Sequence, residues 1–501
     1  MEAFTSEMSI SSSTLSIESP LLSVMQQHDD SSDHHPLLAD PDSYDEDFVE
    51  KGGISFPSQR RFILSRLYRF IRYRVFSTYR VLFCIVFIAN LYVARHFYIK
   101  EISQPVWFAA PSILDISNAV AVNILGSILL RQDYIINIFF AICWWIPFRT
   151  PLRIRRVFAG VYCYGGLHSA AGICATLWFT VLTWILLREF RNYRMRDPHI
   201  KQATYAIVIL LWAMCLTAYP RIRSIWHNLF EHMHRWAGWA CIIIFWIELH
   251  VLTNHIMHQS GADSYGAHLT RRPDFWMHVV STFHIFLPWL RLRRLPIVAE
   301  PLSSHVIRLH IKEKVANCRV YRIACSPLGE WHSFACIPSA TPGSGGSLIV
   351  SDAGDWTRRT IDSPRKHYWT RGIPTVGVLC MTQLFRRVVI VTTGSGIGPT
   401  LGTASRLRRS VTSCHILWSA SGPRQTFGET IVKEVLEVDA KAVIIDTKVF
   451  GRPDLVQLAY ELYVKSNAEA IFVVSNKATT QRCVFELGSR GVPAYGPIWD
   501  S

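Results

Sequence analysis

Charge is scarce in this sequence, and one sign of it is missing from the first tenth. Charged residues make up 18% of 501, and residues 1–50 hold twelve acids with neither Lys nor Arg. The twelve cysteines include no CxxC pair, and the chain contains no GxSxG, HExxH or P-loop pattern. These absences exclude a zinc ribbon, a serine-hydrolase elbow, a zincin-type protease and a P-loop NTPase. The cysteines fall mostly within apolar runs, which suits buried thiols in a reducing compartment. The start of the chain also lacks the basic n-region and apolar h-region of a signal peptide. Its Ser- and Asp-rich stretches, SISSSTLSIESP and HHPLLADPDSYDEDFVE, predict a disordered acidic cytosolic tail over 1–56.

Beyond residue 50 the chain is basic and apolar. A net charge of +15 for the whole, set against those twelve acids, leaves +27 for the remainder, and half of the chain is apolar. The arginines cluster beside apolar runs, which is the pattern of lipid headgroup contact and not of nucleic-acid binding. Six runs approach the length needed for a hydrocarbon core of about 30 Å: 77–98, 117–146, 157–187, 203–219, 236–257 and 275–291. The second is overlong and carries Arg131, Gln132 and Asp133 at its middle, so two short helices are the alternative. With the N-terminus inside, the segments 59–80, 149–156, 221–235 and 291–294 hold 17 Lys plus Arg, against 8 in the outer loops. That asymmetry favours six spans and two cytosolic termini, although REFRNYRMRD (188–197) puts too much positive charge outside. The expectation is a six-span membrane domain over 57–295, in the plasma membrane or an endomembrane.

After LRLRRLP the texture changes to short alternating runs (HVIRLHI, RVYRIAC, SLIV) broken by Gly, Pro and Ser. This predicts an antiparallel β-barrel over 296–385. From 386 onward strands alternate with helical patterns, which predicts a parallel α/β domain over 386–501. Within it, VVIVTTGSGIGPTLG (388–402) is a buried strand that stops at three glycines and opens a helix. Backbone N–H groups at such a turn, together with the helix N-terminus, suit a pyrophosphate.

Four motifs then occur in order: EWHSFACIPSA (330–340), GDWT (354–357), GSGIGPT (394–400) and GRPD (451–454). Together with the upstream spans, they resemble the NADPH oxidase and ferric reductase superfamily, with its ferredoxin-reductase-like cytosolic module. The ending GVPAYGPIWDS and the glycine turn look closest to the fungal integral membrane flavoproteins of the TmpA type, a module also found fused to adenylate-forming enzymes. The resemblance implies FAD held by His332, Ser333 and Phe334. It implies a nicotinamide nucleotide with its pyrophosphate on Gly394, Ser395, Gly396, Ile397, Gly398, Pro399 and Thr400, and with Arg452 on a phosphate. Ser419, Ser421 and Arg424 follow the strand CHILW where an adenosine 2′-phosphate would lie, favouring NADPH over NADH. Thr400, Ser475 and Asn476 are expected to position the nicotinamide. Trp499 either stacks on the flavin or packs the last strand.

The chain departs from the family at three places. Ala335 stands where a hydroxyl is usual, and Ser475-Asn476 replaces a Cys-Gly-Pro turn. The third departure concerns haem. The family spaces paired histidines 13 or 14 residues apart on two spans, but His168 has Ile154, Arg155, Val181 and Leu182 at those distances. His234 and His250 are 16 apart, and the family-spaced partners of His234 are Ile247 and Glu248. Two haems are therefore not expected, and His168, His234 and His250 remain only as weak ligands for one. No other metal site is expected.

The sequence thus predicts a membrane-bound NAD(P)H-dependent FAD oxidoreductase that passes hydride from NADPH to FAD and on to an unidentified acceptor. An adenylate-forming enzyme of a fungal pathway is a candidate partner. Two alternatives stand beside it: haem-based transmembrane electron transfer, and a signalling protein that binds nucleotide without turnover.

Overall fold

The computed structural model describes residues 71, 75–102, 109–260, 264–339, 345–407 and 412–498. The expected tail, 1–56, and Trp499 lie outside them.

The first half is a helical bundle: α1 (Thr78–Ile102), α2 (Ala109–Leu129), α3 (Asp133–Trp144), α4 (Gly165–Arg191), α5 (Pro198–Ala218), α6 (Gly238–Ser260) and α7 (Pro273–Phe286). Central α4 buries Ala170, Ala171, Cys174, Ala175, Phe179 and Leu186. Small residues let its neighbours come close, as expected where helices pack without water to drive them together. A Cβ on Gly166 would stand 2.1 Å from the Tyr79 carbonyl oxygen of α1. Asn90 and Asn123 exchange amide hydrogen bonds, and the Trp178 indole donates to Asn90 Oδ1 at 2.8 Å, tying α1, α2 and α4 together. The outward faces carry Ile85, Ile88, Leu91, Trp184, Ile209 and Ile243, all exposed.

Among the described residues, four helical segments are long and apolar enough to cross a bilayer: Thr78–Ile99, Leu152–Arg191, Pro198–Ala218 and His227–His258. A fifth counts if Ile113–Leu129 and Asp133–Trp144, bent by 72° at their junction, are one span. The six expected runs differ from these segments at two places. The overlong run breaks at its polar middle, where Asp133 opens α3, accepts a hydrogen bond from Ile373 N at 3.1 Å and pairs with Arg322. Three polar residues left in hydrocarbon would each cost several kcal/mol; the break gives Asp133 partners on the barrel instead. The last run yields only the 14 residues of α7, because Pro288 cannot extend a helix.

Beyond the break, α3 lies against the second half of the chain. Asn137 accepts from Val376 N at 3.0 Å and donates to Pro374 O at 3.1 Å, and the Trp144 indole donates to Cys380 O at 3.2 Å. Glycine is required opposite: Gly372 has φ +67°, and a Cβ there would meet Asp133 Oδ2. Farther on, Arg155 donates to Leu384 O and to both carboxylate oxygens of Glu469, at 3.1 and 3.3 Å.

The barrel comprises β1 (Arg293–Ser303), β2 (Val306–Ile311), β3 (Arg319–Ala324), β4 (His332–Pro338), β5 (Gly346–Ser351) and β6 (His367–Thr370). Its order is β4-β5-β2-β1-β6-β3, closed by antiparallel pairing of β3 with β4, and β7 (Thr375–Val376) adds to β3. Leu295, Ile307, Leu309, Ile323, Leu348 and Val350 fill it. Helix α8 (Asp355–Asp362) sends Trp356 into that core.

The last unit is a parallel sheet of β8 (Arg387–Thr393), β9 (Ser413–Ala420), β10 (Val443–Asp446), β11 (Ala470–Val474) and β12 (Ala494–Tyr495), ordered β10-β9-β8-β11-β12. Val388, Val389, Ile390, Ile471, Phe472 and Val473 are all buried, the continuous apolar signature of central parallel strands. Helices α9 (Ile397–Leu407), α10 (Glu429–Val438), α11 (Leu455–Lys465) and α12 (Lys477–Gly488) make the connections. A closed antiparallel barrel leading into a parallel sheet is the architecture the resemblance implies.

Candidate functional site

Strand order places the site. The chain moves from β8 outward to β10, then returns to the other side of β8 with β11. Ligands of open parallel sheets sit at that reversal, beyond the carboxyl ends of the strands. The turn Gly394–Gly398 comes directly after β8, and Ser475 and Asn476 come directly after β11. Arg452 lies beyond β10 and is exposed, while Ser419 is buried at the end of β9 with Ser421 exposed just beyond.

The turn is built for close backbone approach. Gly394 has φ +50°, and a Cβ on Gly396 would lie 2.4 Å from Thr392 Oγ1 and 2.6 Å from Val474 O. The Trp418 indole reaches across from β9 and donates to Gly394 O at 3.0 Å. The hydroxyls of Thr393 and Ser475 are 2.5 Å apart, stitching the two strand ends. The Asn476 side chain caps α12 by accepting from Thr479 N at 2.9 Å.

Two expected nucleotide residues have other roles. Thr400 is completely buried, and its hydroxyl donates to Gly396 O at 2.9 Å. It shapes the turn from within and presents nothing to a nicotinamide. Ile397 is likewise buried, packing against Ile337 and Ile349 of the barrel. Ser395 and Pro399 are half-buried at the turn. Arg424 is paired with Glu429, so its guanidinium is held at the sheet edge and a 2′-phosphate would compete for it.

On β4, His332 and Phe334 turn toward α8. The His332 ring stacks on Trp356 at 4.2 Å between centroids, and Phe334 lies 5.9 Å from the same indole. Ser333 is exposed on the opposite face. Burial lowers the His332 pKa below its usual 6.5, partly offset by Glu330, so the ring is neutral at pH 7. Trp356 Nε1 is buried without a hydrogen-bond partner, and His332 Nε2 has only the Glu330 carboxylate, at 3.6 Å. Unpaired buried polar atoms are rare in folded proteins and call for a missing partner. One such atom in the stack, beside the start of α8 at Gly354, suits the phosphate-and-sugar linkage of a flavin dinucleotide.

The barrel and the sheet meet through α9. Helix α9 packs along β4: a Cβ on Gly402 would sit 2.5 Å from Cys336 O, and one on Gly398 would sit 3.4 Å from Ile349 Cβ. Leu348 pairs with Cys336, so Ile349 lies one residue nearer the start of β4. The amino end of α9, with its glycine turn, therefore points toward Phe334 and His332.

In the bundle, His168 and His234 come together, with ring centroids 6.3 Å apart and planes tilted by 59°. His168 Nδ1 donates to Ser127 O at 2.8 Å. His250 is elsewhere, bonded to the Tyr265 hydroxyl at 2.7 Å. Leu182 and Glu248, the positions spaced for a second haem, do line one cavity, but its volume is about 20 Å³, room for one water. Glu248 accepts from Thr204 there at 2.9 Å, and Arg272 forks onto Asp274. Among the described residues, no group of three or more His, Cys, Asp or Glu could hold a metal ion.

Sequence reasoning missed Trp356 and Trp418 as site residues. The first is legible within GDWT, once that motif is taken residue by residue. The second requires knowing that β9 lies beside β8.

Comparison with known proteins gives relatives of one kind. A family profile described as the C-terminal domain of adenylate-forming reductase 03009 matches residues 378–501. The chain is 38% identical over 441 residues to adenylate-forming reductase 03009 of Coprinopsis cinerea, covering 87% of this chain and 41% of that protein. Adenylate-forming reductase 06235 of the same fungus is 37% identical over 442 residues, with the same coverage. The chain thus spans about two fifths of the length of these curated relatives. Among solved structures, the flavohaemoglobin of Malassezia yamatoensis with bound FAD and haem superposes with a TM-score of 0.37 at 14% identity, over 76% of this chain and 98% of that one. Phthalate dioxygenase reductase gives 0.33 at 13% identity, over 41% of this chain and 67% of that one. Scores this low carry no argument.

Proposed function

We propose that the chain is an integral membrane oxidoreductase that uses FAD and a nicotinamide nucleotide, NADPH before NADH, to reduce an unidentified acceptor. It is read as a member of the NADPH oxidase and ferric reductase superfamily, of the fungal TmpA type. The observation that carries this reading is a pair of half-sites joined through α9, which packs its glycines on the barrel. One is the glycine turn with Ser475 at the reversal between β8 and β11. The other is the His332–Trp356 stack with its orphaned indole nitrogen.

His332 and Trp356 would hold the flavin's phosphates and sugar, with Ser333 and Phe334 beside them. Gly394, Gly396 and Gly398 would bring backbone N–H groups to the nucleotide's pyrophosphate, with Arg452 supplying a cation. Ser475 and Asn476 would border the nicotinamide. When bound, the flavin supplies a two-electron acceptor for the nicotinamide hydride and a donor to the next acceptor.

The exposed apolar faces of α1, α4, α5 and α6 support a bilayer setting, because soluble monomers rarely carry apolar patches of that extent. The basic segments 149–156 and 221–235 adjoin the barrel and sheet, which supports a cytosolic position for that end and for both termini. The names of the relatives support work alongside an adenylate-forming enzyme.

The test is an absorption spectrum of detergent-purified protein before and after anaerobic NADPH. Flavin bands that bleach are expected. A flavin that stays oxidised would favour the reading as a non-catalytic nucleotide-binding protein, and an empty spectrum would sink both cofactor assignments. A second reading, one haem between His168 and His234, has their ring juxtaposition in its favour, since a ligating His is commonly oriented by a carbonyl as His168 is. It predicts a Soret band in the same spectrum that His168→Ala removes.

A further inference from the structure

We propose that the cleft between the helix ends and the barrel is a binding site for a phosphate group, carried by a phospholipid headgroup or by a small soluble phosphate compound. This goes beyond the redox reading and does not require turnover. The cleft encloses about 170 Å³. Its walls are Arg235 and Trp239 at the start of α6, Trp289 beyond α7, Arg322 on β3, Trp331 ahead of β4, and Arg371 after β6.

The charges do not balance. Arg322 has Asp133 as its ion-pair partner, and that carboxylate also serves Ile373 N. The Arg371 guanidinium is sandwiched between indoles, 4.7 Å from the Trp289 centroid and 4.4 Å from that of Trp331. Its Nε is buried with no hydrogen-bond partner. Among the described residues, the lining thus holds three guanidiniums and no carboxylate, with Asp133 paired to one of them and the nearby Glu330 turned to His332. Burial, then Arg322 and Arg235, brings the Arg371 pKa down to about 10, which leaves it charged at neutral pH. Like charges crowded in this way are costly unless an anion joins them.

The geometry of the donors selects the anion. Guanidinium forks match the tetrahedral oxyanion of a phosphate in two-point contact; a soluble phosphate dianion would balance both surplus charges, and a phosphodiester headgroup one of them. Indoles at helix ends fit the headgroup level of a bilayer, and basic pockets there suit lipid phosphates. The cleft is also separate from the flavin's expected phosphate contacts. Tyr321 and Ile323 point into the barrel core, so Arg322 between them points out, away from the His332–Trp356 stack.

The experiment uses the full chain in detergent, titrated calorimetrically with inorganic phosphate in one arm and short-chain phosphatidylglycerol in the other. Flavin content and bleaching by NADPH are read on the same samples. Saturable binding is expected in at least one arm. Arg371→Gln should weaken it roughly tenfold or more, the loss of one charge-assisted contact, with flavin content unchanged. Arg235→Gln, on the opposite wall, should do the same and serves where Arg371→Gln does not fold. Binding by phosphate itself assigns a soluble ligand, and binding by the lipid alone assigns a headgroup. No binding in either arm, or binding unaffected by both substitutions, would overturn the proposal. So would loss of flavin in step with the anion, which would give the cleft to the flavin. Bleaching by NADPH without anion binding would end this proposal and leave the redox reading standing.

Discussion

At the residue scale, the close packing of the glycine turn decides which substitutions are informative. A side chain at Gly396 would strike Val474 O, a backbone atom of β11. Gly396→Val is therefore expected to disturb the sheet itself as well as crowd a pyrophosphate. Arg452 is the cleaner probe, because it is exposed and its loss should leave the fold intact. Arg452→Gln is expected to raise KM for NADPH about tenfold, the worth of one charge-assisted contact. Steady-state kinetics with flavin content as the control would check it, and an unchanged KM would remove Arg452 from the site. Trp418→Phe keeps the packing on Phe427 but removes the hydrogen bond to Gly394 O. The turn should loosen by about 1 kcal/mol, seen as several-fold weaker nucleotide binding in a fluorescence titration.

At the scale of elements, the segment from α3 to Glu469 joins the helical half to the sheet. Arg155 is nearly inaccessible, so Glu469→Gln strands a buried cation. The expected loss is about 2–4 kcal/mol, toward the lower end because Glu469 is partly exposed. Thermal unfolding of Glu469→Gln against the parent would measure it. The pair also gives a signed pH dependence. Burial alone would raise the Glu469 pKa, but Arg155, Arg386 N and Arg387 outweigh it and hold the folded value below 4.5. A depressed carboxylate contributes stability that is full above the unfolded value and is lost as pH falls through the folded one. Unfolding temperature should therefore drop more steeply below about pH 4.5 in the parent than in Glu469→Gln.

At the scale of the whole molecule, the apolar outer faces and the break after α2 bear on the proposed bilayer setting. If α3 lies on the cytosolic side with the barrel, then α2 alone crosses, and the termini stay on one side provided that the short α7 also returns across the bilayer as a sixth crossing. Cysteine labelling in sealed vesicles should find tags at both termini protected or both reactive. One of each would refute that arrangement. The positive charge of 188–197, too high for the outer loop expected from the sequence, has a partial explanation: Glu189 is buried and pairs with Arg188 at 3.4 Å and Arg194 at 3.6 Å, which reduces the free charge there.

Local pattern was enough for much of this. Alternating short runs specify antiparallel strands, and an apolar strand ending in Gly394, Gly396 and Gly398 specifies a phosphate-type turn, because backbone sterics and period are properties of neighbours in sequence. Partners distant in sequence were not legible. Nothing in 117–146 reveals that Asp133 would meet Arg322 and Gly372, so an apolar count ran through a break. Nothing near 400 shows that Thr400 would spend its hydroxyl on Gly396. The convergence of Arg235, Arg322 and Arg371 on one cleft draws on three separate elements. Covalent neighbours and periodicity determined the element types and the glycine turn; burial, charge pairing and the choice of which polar atoms remain unsatisfied were decided only when the chain closed on itself, because those energies depend on distances that sequence order does not contain.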